Sequence, residues 1–507
     1  MKLLTIISLF LLINIFPFNI SAKSPNILLI IADDIGLGET PNYAPDATKA
    51  NMPNLQKMME EGLTFDNVWS NPVCAPSRAN ILTGKYGFRT NVLNAETLAT
   101  LDLNETSLHK YIDQTSNGLY SNCLIGKWHL GGSGNNPDYD YPNKLGISYF
   151  SGILGGGVVD YNNYAWVENG EAANTNEYIT TKITDTAINW INVQNQPWFC
   201  WLAYNAPHTP LHLPPSNMHS QGNLPTDQAS IDANPLPYFL AMVESVDYEM
   251  GRLFSTIPQS ELDNTVVIFV GDNGTDRDVI QAPYAKYQSK GSLYQGGVHV
   301  PMIVTGVGVT RRNERESALV SFSDLFSTIV ELTGTPLSQI HDSYSFAPLL
   351  SNSGEGQRDC LYTEISSNNS GWASRDATFK YIELENGTQE FYNLLNDPYE
   401  KNDLLPDLNS TQQVSFDKLS TLRELLTSIE EVDLMAQTAS IFPNPAQNEI
   451  YLDWQYPNQE FSIFDTLGNK PISGQLLFGK NTISIEALKA GVYFIQIGQM
   501  RNKFVKI

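Results

Sequence analysis

The chain has 507 residues, and its 54 acidic side chains against 30 lysines and arginines give a formal charge of −24. That length predicts roughly two to four structural units. The acidity argues against nucleic acid as a partner, because such binding rests on lysine and arginine neutralising phosphates, while screening over about 8 Å lets a local basic site act against the global sign.

Residues 1–22 carry Lys2, an apolar run from Leu3 to Ile20 and then Ser21-Ala22, the layout of a secretory signal cleaved after Ala22. An uncleaved anchor is the duller reading, since the run is only marginally long enough to span a bilayer. No later segment is a candidate, so a soluble exported chain without a transmembrane segment is expected. Its loss of Lys2 and no acid leaves the mature chain one unit more acidic. The four cysteines, at 74, 123, 200 and 360, exclude a dense disulfide framework. Cys123 and Cys200 sit in strand-like apolar runs and read as buried thiols.

"SPNILLIIADD" reads as a buried parallel strand that delivers Asp33 and Asp34 at its C-terminal end, where ligands of open α/β sheets collect. A helix over Met52 to Glu61, a strand in "GLTFDNV" and a helix over Ser77 to Leu82 follow, the last beginning just after Cys74. "SNCLIGKWHLGG" delivers Lys127 and His129 into a glycine-rich loop, and "WFCWLAYNAPHTP" delivers His208 into a proline-bounded turn. "NTVVIFVGDNG" repeats the first strand, with Asp272 and Asn273 at its end, and "KGSLYQGGVHVPMIVTG" gives a loop bearing Lys290 and a further strand. "SFSDLFSTIVELTG" is an amphipathic helix closed by Gly334. After Arg358 the pattern becomes a hairpin around Asn386-Gly387 and a helix with Leu419, Leu422, Leu426 and Ile429 on one face. From about Ala439 to Ile507, short strands punctuated by glycine, proline and asparagine predict a separate all-β module.

Each polar motif alone has an ordinary structural reading: paired aspartates cap turns, D-N-G makes a hairpin, and a histidine between prolines stiffens a loop. Together they mean more. Three carboxylates and an amide oxygen at strand ends supply hard oxygen ligands for Ca²⁺ or Mg²⁺. Facing them, Arg78, Lys127 and Lys290 with two histidines would hold a small oxyanion and protonate a leaving oxygen.

The blocks C-A-P-S-R (a C-x-P-x-R match), "LTGKYGFRT", "GKWHLG", "APHTP", "GDNG" and "KGSLYQGGVHVP", in this order, resemble the type I, formylglycine-dependent sulfatases of the alkaline-phosphatase-like superfamily. The resemblance covers about Ser24 to Leu405, and "FYNLLNDPYEKNDLL" is similar to that family's C-terminal L-Y-D-L-x-x-D-P-x-E-x-x-N-L block. Three departures stand out: Gln295 where many members have glutamate, "DDIGLGET" for D-D-x-G-x-x-D, and His299 where arginine is frequent.

The resemblance implies an α/β fold with an alkaline-phosphatase-like mixed sheet flanked by helices over residues 23–358, and a small antiparallel subdomain over 359–436. It also implies that Cys74 is converted to formylglycine by a formylglycine-generating enzyme, which explains a cysteine without a disulfide partner. A helix start there suits an anion, since its N–H groups are free. Asp33, Asp34, Asp272 and Asn273, with the modified Cys74, would hold calcium, or magnesium as the alternative. Arg78 and Lys127 would grip the formylglycine hydrate and sulfate, and Lys290 another sulfate oxygen. His129 would deprotonate the sulfated hydrate so that the aldehyde reforms, and His208 would protonate the departing sugar oxygen.

Residues 439–507, through "FPNPAQNEIYL", "GVYFIQI" and "KFVKI", resemble the C-terminal sorting domain of the type IX secretion machinery; a carbohydrate-binding or structural β-sandwich is the other reading. The expectation is a secreted or surface-displayed sulfatase acting on a sulfated polysaccharide or its oligosaccharides, with ulvan placed ahead of carrageenan and fucoidan. Two alternatives stay open: a phosphonate monoester hydrolase or phosphodiesterase of the same superfamily, and a non-catalytic glycan-binding surface protein. On loop position alone, Tyr161, Trp166 and Arg277 are expected to line sugar subsites.

Overall fold

All seven residues of Asn26–Ala32, strand β1, are buried at the centre of a ten-stranded sheet. The computed structural model describes residues 24–428 apart from 45, 336, 338, 355, 368 and 369, and residues 443–507 apart from 455–458, 466–468, 478, 498 and 499. The expected leader over residues 1–22 and the expected helical Ile429 lie outside the described residues. The other strands are β2 (Leu63–Trp69), β3 (Ser121–Lys127), β4 (Tyr149–Ile153), β5 (Tyr164–Glu168), β6 (Glu171–Thr175), β7 (Trp198–Tyr204), β8 (Thr265–Gly271), β9 (Met302–Gly306) and β10 (Glu314–Ser321). Their order is β10-β2-β9-β8-β1-β7-β3-β4-β5-β6.

β8, β1, β7, β3 and β4 run parallel, whereas β9 is antiparallel to both of its neighbours. Strands buried on both faces need no polar alternation, which is why they read as continuous apolar runs. Ile27, Leu29 and Ile31 pack on one face with the helices Cys74–Thr83, Leu108–Thr115 and Asp324–Leu332. Leu28, Ile30 and Ala32 pack on the other with Pro53–Glu61, Ile179–Asn192 and Leu236–Thr256. Register sets the site: Ala32 of β1 pairs with Tyr204 of β7 and Gly271 of β8, and Gly126 of β3 pairs with Ala203 of β7. Four strands therefore end level. Gly126 has φ 110° and lies so close to the Ala203 carbonyl that a Cβ would sit 1.9 Å from its oxygen, so only glycine brings β3 to this register.

Two local expectations change. The segment "YAWVENGE", expected as loop, forms the β5–β6 edge hairpin, turned at Asn169-Gly170 with φ 43° and 86°, the chemistry of a two-residue turn with both φ positive. The expected single helix after the Asn386-Gly387 hairpin is two, Ser410–Ser420 and Leu422–Ser428, with Leu419 fully buried. They cover a four-stranded antiparallel sheet, Leu361–Ile365, Gly371–Arg375, Phe379–Leu384 and Gln389–Asn393, in sequential order. This subdomain packs Leu361, Ala373, Ile382 and Tyr392 against Trp69, Leu293 and Val298 of the main domain.

Residues 443–507 form a pair of strands, Glu449–Trp454 with Gly479–Ser484, and a four-stranded antiparallel sheet with Gln459–Asp465 and Gly491–Ile497 at its centre. Ile450, Leu452, Ile463, Ile495 and Phe504 give them a core made only of module residues. Among the described residues no helix is long and apolar enough to cross a membrane.

Candidate active site

Asp33 and Asp34 leave β1 beside Asp272 and Asn273, which leave β8, because the two strands end in register. Asp34 has φ 71°, a left-handed turn that aspartate tolerates better than most residues. Its N–H donates to Asp272 Oδ1 at 3.1 Å, and Asn273 Nδ2 donates to Asp34 Oδ1 at 2.8 Å. Cys74 is the first residue of the helix Cys74–Thr83, three residues before the expected start, with extended Val73 ahead of it and a left-handed Gly84 closing the far end. One turn on, Arg78 reaches back into the sheet. Its Nη1 donates to the Lys127 carbonyl at 2.8 Å and its Nη2 to Asp272 Oδ2 at 2.8 Å.

Each carboxylate meets one cation: Asp33 with Lys127, Asp34 with Lys290 at 2.6 Å, and Asp272 with Arg78 at 2.8 Å. Formally the three carboxylates and three cations balance one another within an acidic protein. Burial, then the Asp272 charge, raises Asp33 well above the ordinary carboxylate range. Burial pushes Asp34 the same way, but the charge of Lys290, with that of Lys127, outweighs it and holds Asp34 low. Asp33 Oδ1 and Asn273 Oδ1 are buried with no hydrogen-bond donor. Asp33, Cys74 and Asp272 each offer an atom within 4.8 Å of the others, as do Asp33, Asp34 and His208. Orphaned carboxylate and amide oxygens fit a hard divalent cation.

His129 Nδ1 lies 3.1 Å from Cys74 Sγ, and its Nε2 lies 3.0 Å from the Ala95 carbonyl. His208 Nδ1 lies 2.8 Å from the Thr209 carbonyl. Burial and the charge of Lys127 lower both histidines to about 3, which keeps the imidazoles neutral at neutral pH. A glycine triplet serves both rings: a Cβ on Gly156 would sit 2.4 Å from His129 Cε1, and one on Gly157 3.2 Å from His208 Cε1.

The expected subsite residues are placed differently. Tyr161 is 2% exposed, and its hydroxyl, with one proton to donate, lies within hydrogen-bond reach of the carbonyls of Asn205 and His208, so it braces the His208 turn instead of facing solvent. Trp166 is 6% exposed in β5, with its indole N–H on Ser151 Oγ at 2.9 Å. Both side chains point into the core because their segments are anchored to it, which loop position alone does not reveal. Arg277 is exposed four residues beyond Asn273. Sequence reasoning also passed over Glu39, whose place in "DDIGLGET" is that of the last aspartate of the common block. Its carboxylate accepts from Gly36 N at 2.7 Å and Thr275 Oγ1 at 2.9 Å, tying the Asp33 turn to the Asp272 turn. That spacing was the available signal.

Carboxylates and cations gather at parallel strand ends, with a helix-start cysteine beside a histidine, an arrangement suited to a small anionic group. The family model Sulfatase matches residues 25–335, and the chain belongs to that family of sulfuric ester hydrolases. A second model, the secretion system C-terminal sorting domain, matches residues 440–507, marking the chain for secretion or display at the cell surface. The chain is similar to the uncharacterized sulfatase YdeN of Escherichia coli (strain K12), 28% identical over 407 residues that span 69% of this chain and 70% of that protein. Among solved structures, it superposes on Ps i-CgsB in complex with k-i-k-neocarrahexaose with a TM-score of 0.66 at 24% identity, covering 81% of this chain and 94% of that one. A protein in complex with its substrate D-glucosamine-2-N,6-O-disulfate gives a TM-score of 0.66 at 20% identity, covering 80% and 99%.

Proposed function

We propose that this protein is an exported sulfatase that removes sulfate from a sulfated polysaccharide or its oligosaccharides, with Cys74 carried as formylglycine and calcium held by Asp33, Asp34, Asp272 and Asn273. The observation that supports it most is the pair of donorless buried oxygens, Asp33 Oδ1 and Asn273 Oδ1, in the cluster that Cys74 completes. Formylglycine supplies a hydrated aldehyde as nucleophile. A bound cation would supply fixed positive charge to the site.

The chain's own residues do the rest. Arg78, Lys127 and Lys290, which pair with the three carboxylates, would bind sulfate oxygens, charge-assisted contacts that count for more in a water-poor site. His129, 3.1 Å from the Cys74 sulfur, is placed to take a proton at the atom that replaces it. His208 holds a proton for the departing sugar oxygen. Neutral before substrate arrives, it gains proton affinity from the anionic ester beside it, so substrate loads the acid.

The choice of carbohydrate as substrate class is supported by two proteins of this fold whose solved complexes hold a carbohydrate and by the sorting domain, which directs the chain out of the cell. Ulvan, carrageenan and fucoidan are the candidate polymers. Sulfate release measured by ion chromatography across those polymers and their oligosaccharides tests the reading, with matched phosphate and phosphonate esters as competitors. Faster cleavage of the phosphorus esters would replace it.

A further inference from the structure

The block "FYNLLNDPYEKNDLL" and the buried pair Lys380–Glu400 take no part in the chemistry above. Lys380 is 0% and Glu400 1% exposed, with Nζ and Oε1 2.5 Å apart. A buried ion pair is poor evidence of stability, since apolar residues of similar volume often do as well. The question is what geometry it fixes.

Its bonds lead to the loop of Lys290. Glu400 Oε2 accepts from the Gln295 backbone N–H at 2.6 Å. Gln288, 1% exposed, donates its side-chain amide to the carbonyls of Tyr399 at 2.9 Å and Glu400 at 3.3 Å. The turn at 399–400 thus grips the segment 288–295 at both ends, with Lys290 between. Inside it, Lys290 N donates to the Thr275 carbonyl at 2.9 Å and Gly291 N to the Pro72 carbonyl at 2.8 Å, reaching the Asp272 turn and the approach to Cys74. Lys380 Nζ also lies 4.9 Å over the ring of Trp69, whose N–H donates to Gln295 Oε1 at 2.8 Å.

Two departures from the family pattern fall in this cluster. Gln295 Nε2 and His299 Nδ1 lie 3.2 Å apart, a neutral pair where the family block commonly has glutamate and arginine. Both residues change while the local net charge does not, and Lys380 and Glu400 remain each other's counter-ion.

We propose that Glu400, balanced by Lys380, is a positioning residue for Lys290: through it the C-terminal subdomain sets the loop that brings Lys290 Nζ to Asp34 and to the sulfate. The role of Lys290 rests on the sulfatase reading; the anchor itself does not.

The test uses the full chain with calcium, the variants Glu400→Gln and Lys290→Ala and their combination, kcat and KM on an aryl sulfate, and amide hydrogen exchange over residues 288–295. Glu400→Gln should lower kcat/KM roughly 10- to 100-fold, the scale of misplacing a group by about an ångström, yet under about twofold when Lys290 is already alanine. Exchange should quicken over 288–295 and not in β1 or β8. Should Glu400→Gln fold poorly, the apolar pair Lys380→Met with Glu400→Leu removes both buried charges together and should carry the same kinetic defect. Equal losses in the two Lys290 backgrounds, or unchanged exchange over 288–295, would overturn the proposal. Absence of sulfate release by the unsubstituted chain that carries formylglycine at position 74 overturns the functional reading instead, and exchange then decides the anchor alone.

Discussion

Replacing Asp272 by asparagine separates a structural ion pair from a metal ligand. Asp272 Oδ2 accepts from Arg78 Nη2 at 2.8 Å, and both side chains are at most 1% exposed. Asparagine keeps an oxygen for the N–H of Asp34 but strands the guanidinium, and removing one partner of a buried pair costs about 3–5 kcal/mol. Asp272 also raises Asp33, so its loss relieves a repulsion and should place the metal-free cost near the lower end. Calcium gives the second number. At a concentration a hundred times Kd, binding stabilises the unsubstituted protein by about 2.7 kcal/mol, whereas a site weakened a hundredfold gains only about 0.4 kcal/mol at the same calcium. Thermal unfolding of both proteins, with calcium and with a chelator, reads both terms. An equal calcium increment in the two would refute the assignment of Asp272 as a ligand.

His208→Ala should cost roughly 10² to 10⁴ in rate on a carbohydrate sulfate and far less on an activated aryl sulfate, because only the sugar oxygen needs a proton to leave; His129→Ala should slow both. Tyr161→Phe removes the hydroxyl that braces the His208 carbonyl and should reproduce the His208 pattern in weaker form, so an equal loss on both substrates would mean that the hydroxyl serves general packing. His109, lowered to about 4 by burial, binds its proton more readily when unfolded; its contribution to stability is complete above about pH 6.5 and lost as pH falls toward 4. His109→Leu should flatten that acid limb in urea titrations. Deleting residues 439–507 should leave aryl-sulfate turnover nearly unchanged, since the module has its own core, and should misplace the protein in its host, as fractionation would show.

Strand ends carried most of the legible information. The runs before Asp33, Lys127, His208 and Asp272 are buried on both faces, so they appear as unbroken apolar stretches whose polar residues stand out at once. Their convergence then depends on register, which fixes Ala32 beside Gly271 and Tyr204 and which no single stretch encodes. Side-chain direction was lost for the same reason. Tyr161 and Trp166 sit in polar-rich sequence, yet each has one hydroxyl or indole N–H satisfied by a distant residue, 44 and 15 positions away, and burial follows from those bonds. Glu39 and Glu400 were legible as motif members, while their partners, Thr275 and Gln295, lie more than 100 positions off in sequence.

The most direct measurement combines two readings on one protein preparation from a host that makes formylglycine: the mass of the peptide containing Cys74, and sulfate released from a sulfated oligosaccharide by the unsubstituted chain and by Cys74→Ala. The account predicts the aldehyde or its hydrate at position 74, sulfate release by the unsubstituted chain, and none from the alanine variant with its fold intact. An unmodified thiol in an active protein, or substantial release by Cys74→Ala, would contradict it.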